Sequence, residues 1–109
     1  MHTVVETPTF LAAADKIGMT ELKRTNAVSI IASNPMGGDM IAGGRGVRKV
    51  RVPKQGTGKS GGYRVLTYYL HEDEPVFLIS VLNKTKQNNF SDGQKLQAKA
   101  AAKEIRDDR

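Results

Sequence analysis

The sequence has no cysteine and no tryptophan, and only two histidines among its 109 residues. Without cysteine there are no disulfides, no thiolate zinc sites and no cysteine nucleophile. It also fits a reducing compartment. His2 and His71 are too few and too far apart to build a metal cage. No apolar run reaches the roughly 18 residues of a membrane span. Met1 to Glu6 lacks the basic-then-apolar pattern of a secretory signal. The expectation is a cytoplasmic protein with no membrane partner, and a single domain over 1–109, because two halves of this length would each be too short to bury a useful core.

Acidic residues are missing from one stretch in particular. The formal net charge is +6, from 17 Lys plus Arg against 11 Asp plus Glu. Between Asp39 and Glu72 stand Arg45, Arg48, Lys49, Arg51, Lys54, Lys59 and Arg64, with no acid among them. The remainder carries 10 basic and 11 acidic residues, so the whole excess comes from this segment. A merely soluble face usually mixes both signs. A concentrated positive field instead attracts polyanions and speeds their association.

Local signals order the chain as β-α-α-β-β-β-α. Thr3, Val4 and Val5 are β-branched and suit a strand. Thr7-Pro8 places an N-cap and a first-position proline before a helix over Phe10, Leu11, Ala14 and Ile17, which stops at Gly18. Thr20 caps a second helix with an apolar stripe at Leu22, Val28 and Ile31, stopped at Asn34-Pro35. A glycine-rich loop over 36–46 precedes an alternating strand, Val47 to Val52. There Val47, Lys49 and Arg51 share one face, and Arg48, Val50 and Val52 the other. Lys54 to Gly62 is a second glycine-rich loop. Tyr63–Leu70 and Val76–Leu82, linked by a short acidic turn, form an antiparallel hairpin. Ser91 and Gln94 make a capping box for a last helix with Leu96, Ala100 and Ile105 near one face. The fold class is therefore α+β: a small antiparallel sheet, an N-terminal helical hairpin and a C-terminal helix, with the helices packed to one side.

Two chemistries are set aside. Gly58-Lys59-Ser60 suggests a phosphate loop, but its first glycine position is Pro53, and a strand follows instead of a helix. A Ser-His-acid triad would need His2, near the terminus, or His71, in the acidic turn. The basic strand is the better candidate. If it pairs with the strand opening at Arg64, the cations converge on one concave surface. There they can hold a phosphodiester, stabilise a pentacoordinate phosphorane, and depress one another's pKa so that a lysine can act as base. RNA brings its own nucleophile, the 2′-OH, so such a site needs no cofactor and no metal. On charge and spacing alone, binding of phosphates is favoured over their cleavage.

Several stretches resemble one family. Gly43-Gly44-Arg45-Gly46-Val47-Arg48-Lys49-Val50-Arg51, then Gly58-Lys59-Ser60-Gly61-Gly62-Tyr63-Arg64-Val65, then Pro75 to Val81, Asn83-Lys84 and the Ser91-Asp92 helix start resemble RelE/HigB-like toxins of type II toxin–antitoxin systems. The resemblance covers roughly Pro35 to the end. It implies a metal-independent endoribonuclease that enters the ribosomal A site and cuts translated mRNA by 2′-OH attack, leaving a 2′,3′-cyclic phosphate. It also implies a cognate antitoxin, of helix-turn-helix type, that neutralises the toxin. The family's catalytic cations fall on Lys49, Arg51, Arg64 and Lys84. Arginine is a poor base, which makes Lys49 the proton acceptor and Arg51 a phosphate clamp. The late catalytic tyrosine of the best-known member falls on Phe90, which can stack on a base but cannot move a proton. Arg45, Arg48, Lys54, Lys59, Tyr63, Lys86 and Phe90 are the expected RNA contacts. The alternatives are a gyrase-binding relative from the same superfamily and a non-catalytic nucleic-acid-binding module.

Overall fold

In the computed structural model, residues 1–53 and 62–108 are described. The expected order holds, with one short strand added. The elements are β1 (Val4–Glu6), α1 (Pro8–Lys16), α2 (Glu21–Ser33), β2 (Asp39–Met40), β3 (Val47–Val52), β4 (Tyr63–Tyr68), β5 (Val76–Asn83) and α3 (Asp92–Asp107). They build a five-stranded sheet in the order β1-β5-β4-β3-β2. β1 runs parallel to β5, and the remaining pairs are antiparallel. β2 lies in the stretch expected to be loop. Two residues are too few to show alternation, and only their pairing with Lys49 and Arg48 makes them a strand.

The helix starts follow from their caps. Thr7 Oγ1 accepts from Phe10 N at 3.2 Å and donates to Leu78 O at 2.6 Å, so one hydroxyl both caps α1 and ties it to β5. Thr20 caps α2 through Lys23 N. At α3 both halves of the capping box are present: Gln94 N donates to Ser91 Oγ at 3.1 Å, and Ser91 N to Gln94 Oε1 at 2.8 Å.

The helices do not share one side. One core packs Phe10, Ala14, Ala27 and Ile31 of the helical hairpin on Val50, Val52, Val65 and Leu78. A second packs Ala98 and Ala102 of α3 with Phe90 on Val47, Leu66, Tyr68, Ile79 and Leu82. Successive strand residues point to opposite faces, so these two sets cover the two sides of one sheet. The central strands are thus buried twice, which is why β4 carries an almost unbroken buried run. The apolar stripes also differ from expectation. Leu22 is 77% exposed and Leu96 is 69% exposed, whereas Ile31 is buried as expected, Val28 and Ile105 pack against the cores, and Ala27, Ala98 and Ala102 supply further buried contacts. A small residue lets the helix axis approach the sheet closely, and a hydrophobicity pattern gives it little weight.

Candidate active site

β3 and β4 are direct neighbours. Arg51 lies opposite Arg64, and Lys49 opposite Leu66. Opposed residues in an antiparallel pair share a face, so Lys49, Arg51 and Arg64 all point to the α3 side. α3 covers that side only in part. Past its N-terminus the strand ends stand open and form a cleft of about 440 Å³, lined by Gly38, Asp39, Lys49, Arg51, Arg64, Lys84, Asn88 and Asn89. All four expected catalytic cations therefore line one concavity.

Each side chain is placed by a different element. Lys49 sits mid-strand on β3, and its Nζ donates to Asn89 Oδ1 at 3.2 Å. That oxygen also accepts from Phe90 N at 2.8 Å, which turns the carboxamide toward the lysine. Gln87 Nε2 donates to Asn89 O at 2.8 Å and to Gln94 Oε1 at 2.6 Å. The chain of contacts thus runs from the α3 capping box to the amine of Lys49. Lys84 follows β5, and its Nζ donates to Asn88 O at 2.8 Å and to Asn88 Oδ1. Arg64 is the second residue of β4, and its Nη1 donates to Tyr63 O at 3.3 Å. Partial burial, and then the Arg51 charge facing it, lower the pKa of Arg64 from its usual value. Both causes make the charge on Arg64 costly to hold.

Asp39, Asn88 and Asn89 were not expected in the site. Asp39 pairs with Lys49 across β2 and β3 and puts one carboxylate at the cleft edge. Asn88 is four residues from its partner Lys84, but no spacing links Asn89 to a lysine 40 positions away. On the other edge, Gly38 has φ +90°, and a Cβ there would lie 2.3 Å from Lys49 O. Only glycine lets the chain pass so close to the lysine's backbone.

The other expected RNA contacts scatter. Arg48 is turned to the opposite face, 9% exposed, with Nη1 donating to Tyr69 O at 3.0 Å. Tyr63 is 4% exposed and belongs to the core beneath the helical hairpin. Phe90 is 3% exposed and packs with Leu66, Leu82 and Ala98. None of these three side chains is placed to stack on a base or grip a phosphate in the cleft. Lys86 stands exposed on the loop that walls the cleft, and Arg45 lies in a different groove beside α3. Lys54 and Lys59 lie outside the described residues.

With the fold and the cleft in place, the sequence itself is matched by a family model. That model, the RelE toxin of the RelE/RelB toxin–antitoxin system, covers residues 2–108. The chain belongs to the RelE toxin family. As a member it is a toxin component of a toxin–antitoxin system, with an antitoxin as partner. The match includes the helical hairpin as well as the stretch from Pro35 onward that carries the motif resemblance. Among the described residues, no helix of this RelE-family chain is long and apolar enough to cross a membrane.

Proposed function

We propose that this RelE-family toxin is a ribosome-dependent mRNA endoribonuclease working without a metal, and that the cleft beside β3 and β4 is its active site. The observation that carries the reading is the convergence of Lys49, Arg51, Arg64 and Lys84 on one open concavity. Four cations around about 440 Å³ suit one phosphodiester and its developing charge.

In this reading Lys49 takes the proton of the 2′-OH. The 2′-oxygen bonds to phosphorus, and the bond from phosphorus to the 5′-oxygen breaks. The products are a 2′,3′-cyclic phosphate and a 5′-oxygen that leaves with a proton from water or from the Lys84 ammonium. Arg51 clamps the phosphate. Arg64, half-buried beside it, stabilises the phosphorane, where desolvation strengthens its pull on added negative charge. Asn89 holds Lys49 toward the cleft. The cognate antitoxin, of helix-turn-helix type, is expected to keep RNA out of this cleft, and the ribosomal A site to present the mRNA.

The test is to induce the chain alone in cells and map new mRNA 5′ ends, then repeat with purified mRNA with and without ribosomes. Cuts within translated frames that need ribosomes, persist in EDTA (with ribosome integrity controlled) and vanish in Lys49→Ala and Arg64→Ala support the reading. Growth arrest with DNA-damage signalling and intact mRNA would instead favour a gyrase-binding toxin.

A further inference from the structure

A second basic groove lies on the same side of the sheet, between the loop before β3 and the outer half of α3. It encloses about 340 Å³ and carries Arg45, Lys99, Lys103 and Arg106, with Leu96 and Ala100 on its apolar part. The α3 residues recur every three or four positions, so they form one face of the helix. Arg45 faces them from the loop.

Three features set this groove apart from an ordinary solvated face. First, Arg45 has φ +52° and is the only non-glycine residue at positive φ among the described residues. Its neighbour Gly44 is packed so that a Cβ would lie 3.0 Å from Ile41 O and from Val47 Cβ. The loop is held tightly in a conformation that disfavours arginine, and it presents the arginine to α3. Second, the Arg106 guanidinium sits 5.9 Å from the centre of the Tyr68 ring, and its Nη1 is buried without a hydrogen-bond partner. Third, Asp107 lies within reach of the whole group. Its pKa is lowered by the hydrogen bond and charge of Lys103, and further by the charges of Arg106 and Arg45. One carboxylate, already held by Lys103 at 2.8 Å, leaves a positive excess in the groove.

We infer that this groove binds the phosphate backbone of RNA, as an anchor for the strand whose scissile phosphate occupies the cleft. The inference rests on the nuclease reading of the cleft and adds a second site to it. Arg45 and Lys49 are four residues apart in the chain, which caps the separation of their Cα atoms at about 14 Å. A single strand of RNA can bridge that distance. The apolar surface of Leu96, 69% exposed, and Ala100 gives sugars and base faces something to lie on, which suits a nucleic acid better than a free anion.

The experiment measures the affinity of a fluorescein-labelled 12-nucleotide single-stranded RNA for the full chain, by anisotropy, from 20 to 300 mM salt. A Lys49→Ala background keeps the RNA intact. Replacing Arg45 and Lys99 by alanine should weaken binding about tenfold at 50 mM salt and flatten the salt slope by about 1.4, or about 0.7 for each contact. Asp107→Asn should tighten binding, because it removes a carboxylate that Lys103 holds beside the groove. A groove that merely supports the fold would show no such gain. Lys99→Gln, on α3 and away from the strained loop, repeats the test if Arg45→Ala fails to fold. Unchanged affinity and slope in the groove variants overturn the inference, and so does a loss confined to antitoxin binding. Arg64→Ala, in the cleft, separates the two readings. If it weakens RNA binding while the groove variants do not, only the anchor is wrong. If neither does, the anchor falls, and cleavage on programmed ribosomes by Arg64→Ala decides the nuclease reading separately.

Discussion

Arg64→Met should make the protein more stable and less active at once. Arg51 and Arg64 are directly opposed on adjacent strands and face the same cleft. Their charges repel by about 0.6 kcal/mol if about 7 Å apart in a water-like medium. Partial burial of Arg64 raises that cost, and it is reflected in the lowered pKa. Methionine keeps an unbranched stem and removes the charge. The expected gain is about 0.5–1 kcal/mol, or roughly 2–5 °C in melting temperature for a chain of this size. A base with a lowered pKa carries its destabilising charge at every pH below that pKa. The gain should therefore be flat from pH 5 to 9. Cleavage on programmed ribosomes should fall by about 10²–10³-fold, as for loss of a transition-state charge partner. Thermal melts at 50 mM and 1 M salt separate the cause, since salt at 1 M screens charges beyond about 3 Å. Arg64→Lys, which keeps the charge, should show no gain. A drop in melting temperature for Arg64→Met, or a gain undiminished at 1 M salt, would refute the electrostatic argument.

Glycines at two turns should respond very differently to alanine. At Gly38 the new Cβ meets Lys49 O at 2.3 Å, so Gly38→Ala should cost about 3 kcal/mol in urea unfolding and disturb Lys49. At Gly18, φ +74° with nothing within 4 Å, the cost should be only about 1 kcal/mol, from backbone strain alone. Phe90→Tyr should not restore a tyrosine-dependent step. It puts a hydroxyl into a site 3% exposed and should cost about 1–3 kcal/mol with no rise in cleavage rate. Asp107 has a lowered pKa in the fold, so its contribution is present above the ordinary carboxylate range and is lost as pH falls through it. The melting-temperature gap between the wild type and Asp107→Asn should narrow from about pH 5 downward and be closed in strong acid.

The sequence made the element order legible because each signal was local. Thr7-Pro8, Thr20 and the Ser91/Gln94 box set the helix starts, and alternation in 47–52 set which side chains travel together. Alternation alone put Lys49 and Arg51 on one face, and the pairing of β3 with β4 then brought Arg64 beside them. What stayed hidden was non-local or carried by small residues. The packing of α3 on the second face depends on Ala98 and Ala102, which give a weak hydrophobic signal. The cleft wall depends on Asn89, whose partner Lys49 lies on a strand 40 positions away. Charge and aromaticity also misplace residues. Arg48, Tyr63 and Phe90 have side chains that suit RNA, yet each is in or beside a core, because strand parity or packing decides direction before chemistry does.

That distinction explains where this fold keeps its reactive surface. α3 seals Val47, Leu66, Tyr68 and Leu82 on one side of the sheet, and its capping box marks the point where the cover stops. Beyond that point the strand ends are bare, and each outward-facing position there that bears a cation adds to one field. The same loop that starts α3 supplies Asn89 to Lys49 and Asn88 to Lys84. Ending the helix cover and orienting the lysines are therefore one structural event, set by residues 87–94. A variant that loosens this loop without touching a cation, such as Gln94→Ala, should reduce cleavage while leaving the groove at Arg45 and Lys99 intact. RNA affinity that stays near wild type while turnover falls would show the two functions parting; a matched loss of both would show that the loop only supports the fold.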